Sequence, residues 1–213
     1  MKKLLSLLVF IAILNSLNAQ ELKSIVLNPP DKTRGLPVMQ ALDKRASASV
    51  FTSDKLKLQD LSDLLWAADG INRTELKKRT APSAMNAQDI DLYVFLAEGV
   101  YLYNAAGHSL EPVVSGDQRL VVAGRQTDIA NASVILLIVS DISRFNGGEE
   151  AMKLSLAAMD AGLVSQNISI FCAGVGLSTR PRATMDLVKL KEILKLKDSQ
   201  YPLLNNPVSY PVK

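Results

Sequence analysis

The chain lacks most of what metal- and thiol-based chemistry requires. Its 213 residues include one histidine, one cysteine and one tryptophan, and aromatics make up 5%. A transition-metal centre needs several clustered imidazole, thiolate or carboxylate ligands, which a lone His108 and a lone Cys172 do not supply. A Ser-His-Asp triad would need His108 as its base, yet His108 sits in the turn-like Asn104-Ala105-Ala106-Gly107-His108 and reads as an exposed hairpin residue. One thiol excludes an internal disulfide. Cys172, set in the apolar run Ile168-Ser169-Ile170-Phe171-Cys172-Ala173, reads as a small core residue. Gly-x-Gly-x-x-Gly and the Walker loop are also missing, so the common dinucleotide and nucleotide cradles are excluded. Gly174-x-Gly176 ends a helical pattern where that fingerprint would open one, and reads as a helix stop. The charge balance, 24 Lys+Arg against 21 Asp+Glu, is too even to point to nucleic acid.

What is present begins with a leader. Lys2 and Lys3 precede an apolar stretch over residues 4–14 that is too short to span a bilayer, and Asn15-Ser16-Leu17-Asn18-Ala19 supplies a polar end with a small residue at the cut. Residues 1–19 therefore read as a secretory signal peptide, the mature domain as 20–213, and the location as periplasmic or secreted, with no membrane anchoring after cleavage. No cysteine stands at the cut, so a lipoprotein is disfavoured. Loss of Lys2 and Lys3 leaves 22 basic against 21 acidic side chains. The mature length suits one domain with a full core.

The apolar periodicity predicts interleaved helices and strands, an α+β class. After Asn28-Pro29-Pro30-Asp31, which breaks regular structure, a short helix is expected over residues 37–44 with Val38, Leu42 and Met39 inward. A second helix is expected over 58–70, carrying Leu58, Leu61, Leu64, Leu65 and Ala68 and stopped at Gly70, with Trp66 packed beside that face. Strands are expected over 90–97 and 99–103, with a return over 109–113. The unbroken aliphatic run over 133–140 reads as a central strand buried on both faces. A long helix is expected over 149–175. It is apolar nearly all round, so it should be buried on all sides and reach a subunit interface. A further helix over 187–196 and an extended tail over 205–212 close the chain.

Two segments carry candidate chemistry. In Arg45-Ala46-Ser47-Ala48-Ser49, the guanidinium and two hydroxyls alternate, so an extended backbone points them to one side, where they suit a phosphate or the polar edge of a ring. In Arg79-Thr80-Ala81-Pro82-Ser83-Ala84-Met85-Asn86-Ala87-Gln88, a proline among small residues lets backbone approach something flat, with N–H groups facing an electron-rich edge. Asp117, Arg119, Arg125 and Asp128 read as an ion-paired connection. Arg180 and Arg182, flanking Pro181, read as exposed on spacing alone.

Together these motifs resemble the nitroreductase family of flavin enzymes, and most of all its branch of thiazole- and oxazole-forming dehydrogenases. The residues that carry the resemblance are Lys44-Arg45-Ala46-Ser47 with Phe51, Leu61-Ser62-Asp63-Leu64-Leu65-Trp66-Ala67-Ala68-Asp69-Gly70, and Arg79-Thr80-Ala81-Pro82-Ser83-Ala84. To these are added Gly99-Val100-Tyr101-Leu102-Tyr103 with Gly107-His108-Ser109-Leu110, Gly176-Leu177-Ser178-Thr179 before Arg182, and Val208-Ser209-Tyr210-Pro211. The resemblance implies a nitroreductase-like α+β homodimer that binds FMN at the subunit interface, with NAD(P)H as a candidate reductant and a small molecule as acceptor. It implies that Arg45, Ala46, Ser47 and Ser49 meet the phosphate, ribityl chain and pyrimidine edge. Pro82, Ser83, Ala84, Met85 and Asn86 would meet the isoalloxazine, and Arg182 and Ala183 would approach it after the long helix. No side chain is assigned as a catalytic acid or base, because the flavin itself carries the hydride chemistry. The chain departs from that branch at Met85 and Ala183, where glycine is usual, and at Ser49, where a basic residue is common. Those departures motivate the alternative of a flavin-binding or degenerate, non-catalytic dimeric module.

Overall fold

The computed structural model describes residues 22–212; the signal-peptide reading of residues 1–19 lies outside them, as does Lys213. In chain order the strands are β1 (Ile25–Val26), β2 (Ile71–Arg73), β3 (Lys78–Arg79), β4 (Ile90–Phe95), β5 (Gly99–Asn104), β6 (Ser109–Ser115), β7 (Val134–Asp141), β8 (Ser178–Thr179) and β9 (Gln200–Ser209). The α-helices are α1 (Val38–Lys44), α2 (Leu58–Asp69), α3 (Arg119–Ala123), α4 (Glu150–Val175) and α5 (Leu187–Leu194). Seven strands form one sheet in the order β1-β6-β5-β4-β7-β9-β8, and β2 and β3 make a separate small ribbon. Every pairing is antiparallel.

Strand β7, interior between β4 and β9, is buried at all its residues, as its aliphatic run predicts. Side chains alternate across the pleat. Val134, Leu136 and Ile138 face a core shared with Leu61, Leu64, Leu65 and Ala68 of α2 and with Ala161, Val164, Ile168 and Cys172 of α4. Ile135, Leu137 and Val139 face a second core with Phe51, Val122, Ile129, Leu190 and Leu194. The fold is thus a sheet with helices on both faces, and burial drives the Cys172 thiol well above its ordinary range.

Two expectations about helix faces are corrected. The long helix α4 is buried along one side, not on all sides: Met152, Met159 and Leu163, at steps of seven and four, are exposed, Met159 by 64%. On α1 only Ala41 is buried, whereas Val38, Met39 and Leu42 point outward. The small residues of this seam set that rotation. The Leu36 N–H donates to the Gly174 carbonyl (3.0 Å), and a Cβ on Gly174 would lie 3.6 Å from the Cβ of Ala41. The result is an apolar strip on α1 and α4 that the described chain leaves uncovered.

Gly70 ends α2 without a positive φ; its role is close approach, since a Cβ there would come within 2.5 Å of the Trp66 ring. Trp66 is half-buried and its indole N–H donates to the Ile71 carbonyl (3.0 Å). Gly176, at φ +77, stops α4 in the left-handed cap expected of it. His108 is not the exposed turn residue expected. It is half-buried, with Nε2 against the Asn28 carbonyl (2.9 Å) and Nδ1 against the Tyr103 hydroxyl (2.9 Å). A carbonyl only accepts, so Nε2 carries the proton and Tyr103 donates to Nδ1. Burial lowers the His108 pKa, partly offset by the Asn28 carbonyl. The Asp117–Arg119 ion pair (2.6 Å) forms as expected.

Candidate functional site

The segment after α1 is pinned at two points. The Ala48 N–H donates to the Thr179 carbonyl of β8 (2.9 Å), and Phe51 enters the second core. Between these anchors Ala48 is half-buried while Arg45, Ala46, Ser47 and Ser49 are exposed. Lys44, Ala46, Ser47 and Ala48 form one wall of a groove of about 270 Å³; the other is Ser169 and Ala173 of α4 with Leu177, Ser178 and Thr179. Small side chains keep this groove open, hydroxyls line it, and Lys44 puts a cation at its edge. Arg45 and Ser49 lie on the same exposed segment but do not line the groove.

The loop over residues 79–88 is held in an unusual shape by bonds across its neck. The Arg79 guanidinium donates to the Asp69 carboxylate (2.7 Å), the Asp69 carbonyl (3.1 Å) and the Gln88 side chain (3.2 Å). The Gln88 N–H donates to the Ser83 hydroxyl (2.9 Å), and Arg144 donates to the Gln88 carbonyl (2.9 Å). Met85, Asn86 and Gln88 all take positive φ, at +53°, +54° and +47°. The Met85 side chain projects outward, 58% exposed. The Ala84 N–H is taken by both oxygens of Asp160 on α4 (3.0 and 2.9 Å), and those of Asn86 and Ala87 by carbonyls within the loop. Ser83 and Met85 remain as the backbone donors of residues 83–88 without a partner among the described residues. Pro82 is exposed, and it borders with Ser83 a cleft of about 10 Å³ against Val164 and Ile90, room for no more than a water.

Three carboxyls stand behind this loop. Burial raises Asp69 to about 7 despite its Arg79 partner. Asp160 is 3% exposed and is also raised, by burial first and then by Asp89 beside it, against the Ala84 N–H. Asp89 is fully buried; its Oδ2 accepts from the Ser140 hydroxyl and its Oδ1 has no partner among the described residues.

Arg182 and Ala183 line neither the groove nor the loop cleft. Arg182 is not exposed, as its spacing alone implied, and its guanidinium is committed inside the fold. It donates to Gln126 (2.9 Å), to the Asn205 side chain (2.7 Å) and to the Ala123 carbonyl (3.0 Å), while its backbone bridges to Asn205. Burial lowers its pKa, with Arg180 adding to the effect. Ala183 is exposed on a separate wide groove beside Gly124 and Met185. Lys44, Ser169, Thr179, Asp89 and Asp160 were missed as site residues. Asp160 carried a signal, being the only charge between residues 154 and 175 of an apolar helix.

A sheet covered on both faces, a long helix with one apolar side uncovered, and a small-residue groove and a braced loop along that helix define an α+β protein with a small-molecule-sized site beside its long helix. Residues 42–208 match the nitroreductase family, and the chain belongs to it. It is similar to a protein named as a nitroreductase in Methanocaldococcus jannaschii, at 31% identity over 78% of this chain and 87% of that one. Among solved structures it is similar to a Ralstonia eutropha protein also described as a nitroreductase, at 30% identity and a TM-score of 0.84 over 92% of both chains. The fold, at 18% identity and a TM-score of 0.71, also matches a chain of the Escherichia coli microcin synthetase McbBCD complex over 95% of this chain and 82% of that one.

Proposed function

We propose that the mature chain is an exported, homodimeric, FMN-dependent oxidoreductase that passes electrons from a reductant to a small-molecule acceptor. Members of the family typically bind FMN and use NAD(P)H. The observation that carries the reading is the pairing, on one helix, of a groove fit for a phosphate and ribityl chain with a loop that offers two unpartnered N–H groups. Lys44, with Arg45 on the adjoining exposed segment, supplies positive charge for the phosphate. Ser47 and Ser178 supply hydroxyls, and Ala46, Ala48 and Ala173 leave room for the chain to lie close. Bound FMN supplies the hydride chemistry. The protein's share is to orient it, exclude water from it, and direct the Ser83 and Met85 N–H groups at its polar edge.

The groove and the loop share no lining residue. Along α4, Asp160 behind the loop and Ser169 in the groove are nine residues apart, about 14 Å of helix. A second copy packed on the exposed strip of Val38, Met39, Leu42, Met159 and Leu163 would bring one protomer's loop to its partner's groove and cover apolar surface that a lone protomer leaves in water. The α4 helix is long and apolar enough to cross a membrane, yet one side packs on the sheet and Asp160 interrupts it, as befits a core helix.

The test is flavin titration of the purified mature chain. FMN uptake with quenched fluorescence, and bleaching by NADH or NADPH, is the expected result. FMN that binds but is reduced only by dithionite would favour the non-catalytic module, which Met85 in place of glycine and Ser49 in place of a basic residue motivate. No uptake at all would overturn both readings.

A further inference from the structure

Asp89 and Asp160 meet where the loop over residues 79–88, strand β4 and helix α4 converge. Asp89 is fully buried, immediately before β4; its backbone carbonyl accepts the Asp141 N–H (2.8 Å), and its Oδ2 accepts the Ser140 hydroxyl. That leaves Oδ1 buried with no donor. Asp160 reaches the same place from α4, within hydrogen-bonding reach of Asp89, with both its oxygens on the Ala84 N–H. Among the described residues neither carboxyl is in an ion pair. The nearby cations are committed elsewhere, Arg79 to Asp69 and Arg144 to Asp91 and Asp141. Two adjacent carboxylates in a buried site repel each other, and a buried acceptor without a donor costs about 1–3 kcal/mol. One proton between them removes both penalties.

We infer that Asp89 and Asp160 share one proton, and that this acid–carboxylate pair is the latch that fixes the 82–86 loop through the Ala84 N–H. Asp160 is thereby a positioning residue. It holds the backbone whose Ser83 and Met85 N–H groups have no partner among the described residues, a role that rests on the flavin reading for its purpose but not for its existence. The groups facing the pair are Ser140 and Asp141 from β7, Arg144 just beyond it, Asp91 from β4, and the Asp69–Arg79 pair from α2 and β3.

Four chains test this: wild type, D160N, D89N and, as the disruptive variant, D160A. An asparagine at either position reproduces the protonated partner and keeps the hydrogen bonds, whereas Asp160→Ala removes the acceptor. At about pH 5, below the value of about 6 to which burial and Asp89 raise Asp160, infrared spectra should show a protonated-carboxyl band in wild type that loses intensity equally in D160N and D89N; whatever band persists belongs to other acids such as Asp69. Amide exchange at Ala84 should stay slow in D160N and become fast in D160A. In the FMN titration, D160A should bind at least about tenfold more weakly than wild type while D160N stays within about threefold. An unchanged carboxyl band in both asparagine variants, or Ala84 protection that survives in folded D160A, overturns the inference. If wild type takes up no FMN, the functional reading fails, while the infrared and exchange results still decide the latch.

Discussion

Met85 sits at φ +53, in the region that suits glycine, with its side chain mostly exposed. Glycine is usual here in the branch that the sequence resembles, and the structure supplies a backbone reason: the loop needs a left-handed residue at this point whatever it meets. Met85→Gly should therefore raise the unfolding free energy by about 1 kcal/mol in urea denaturation, and a loss of stability would show that the Met85 side chain contributes more than its backbone costs. His108 makes a second prediction. Its folded pKa is lowered below 6.5, so the unfolded chain protonates first and the stability tied to neutral His108 is lost as pH falls through that value and below it. H108N, whose asparagine tolerates φ +44, should show a shallower loss on acidification than wild type, read from urea midpoints above and below 6.5. Both residues stood out in the sequence for their type and position. Their roles did not, because a positive φ and a long-range contact to Asn28 leave no mark on local spacing.

At the scale of elements, legibility followed the reach of the interactions that define each one. β7, α2 and α4 carry their own hydrophobic patterns, and the β4–β5–β6 meander carries its turn signals, so their existence and order could be read directly. β1 and β8 are two-residue strands that exist only because β6 and β9 pair with them, and the β2–β3 ribbon is equally invisible to periodicity. Nor does composition show which side of α4 the sheet takes, since nearly every face of that helix is apolar; the Gly174–Ala41 seam and the sheet decide it. Arg182 illustrates the same limit. An Arg-Pro-Arg stretch after a helix reads as exposed on spacing alone, yet the fold uses Arg182 to tie β9 to α3 and to Gln126. R182A should cost about 3 kcal/mol of stability by leaving Asn205 and the Ala123 carbonyl unpaired in a buried site. FMN affinity of the folded fraction should change little. A large loss of affinity with stability intact would return Arg182 to the cofactor site.

At the scale of the molecule, the uncovered strip on α1 and α4 joins fold to function. An apolar surface carried by two adjoining helices is expensive to leave in water. In the dimer we propose, pairing two copies across it would also bring the loop of one protomer to the groove of its partner. Met159→Lys, at a position exposed in the protomer, should leave the protomer folded by circular dichroism, shift sedimentation from dimer to monomer, and abolish FMN binding in the same step. A monomeric variant that still binds FMN would place the whole site in one chain. Of the candidate site, the Ser47 segment and the Pro82–Ser83 loop could be singled out in the sequence. It left hidden the carboxyl pair behind that loop, whose two members lie 71 positions apart and are brought together only by the packing of α4 on the sheet. The most direct test of the whole account is the visible spectrum of the purified mature chain incubated with FMN, before and after NADH or NADPH. A protein-bound flavin spectrum that bleaches on reduction is predicted. A protein that stays colourless after FMN is washed away would contradict the account.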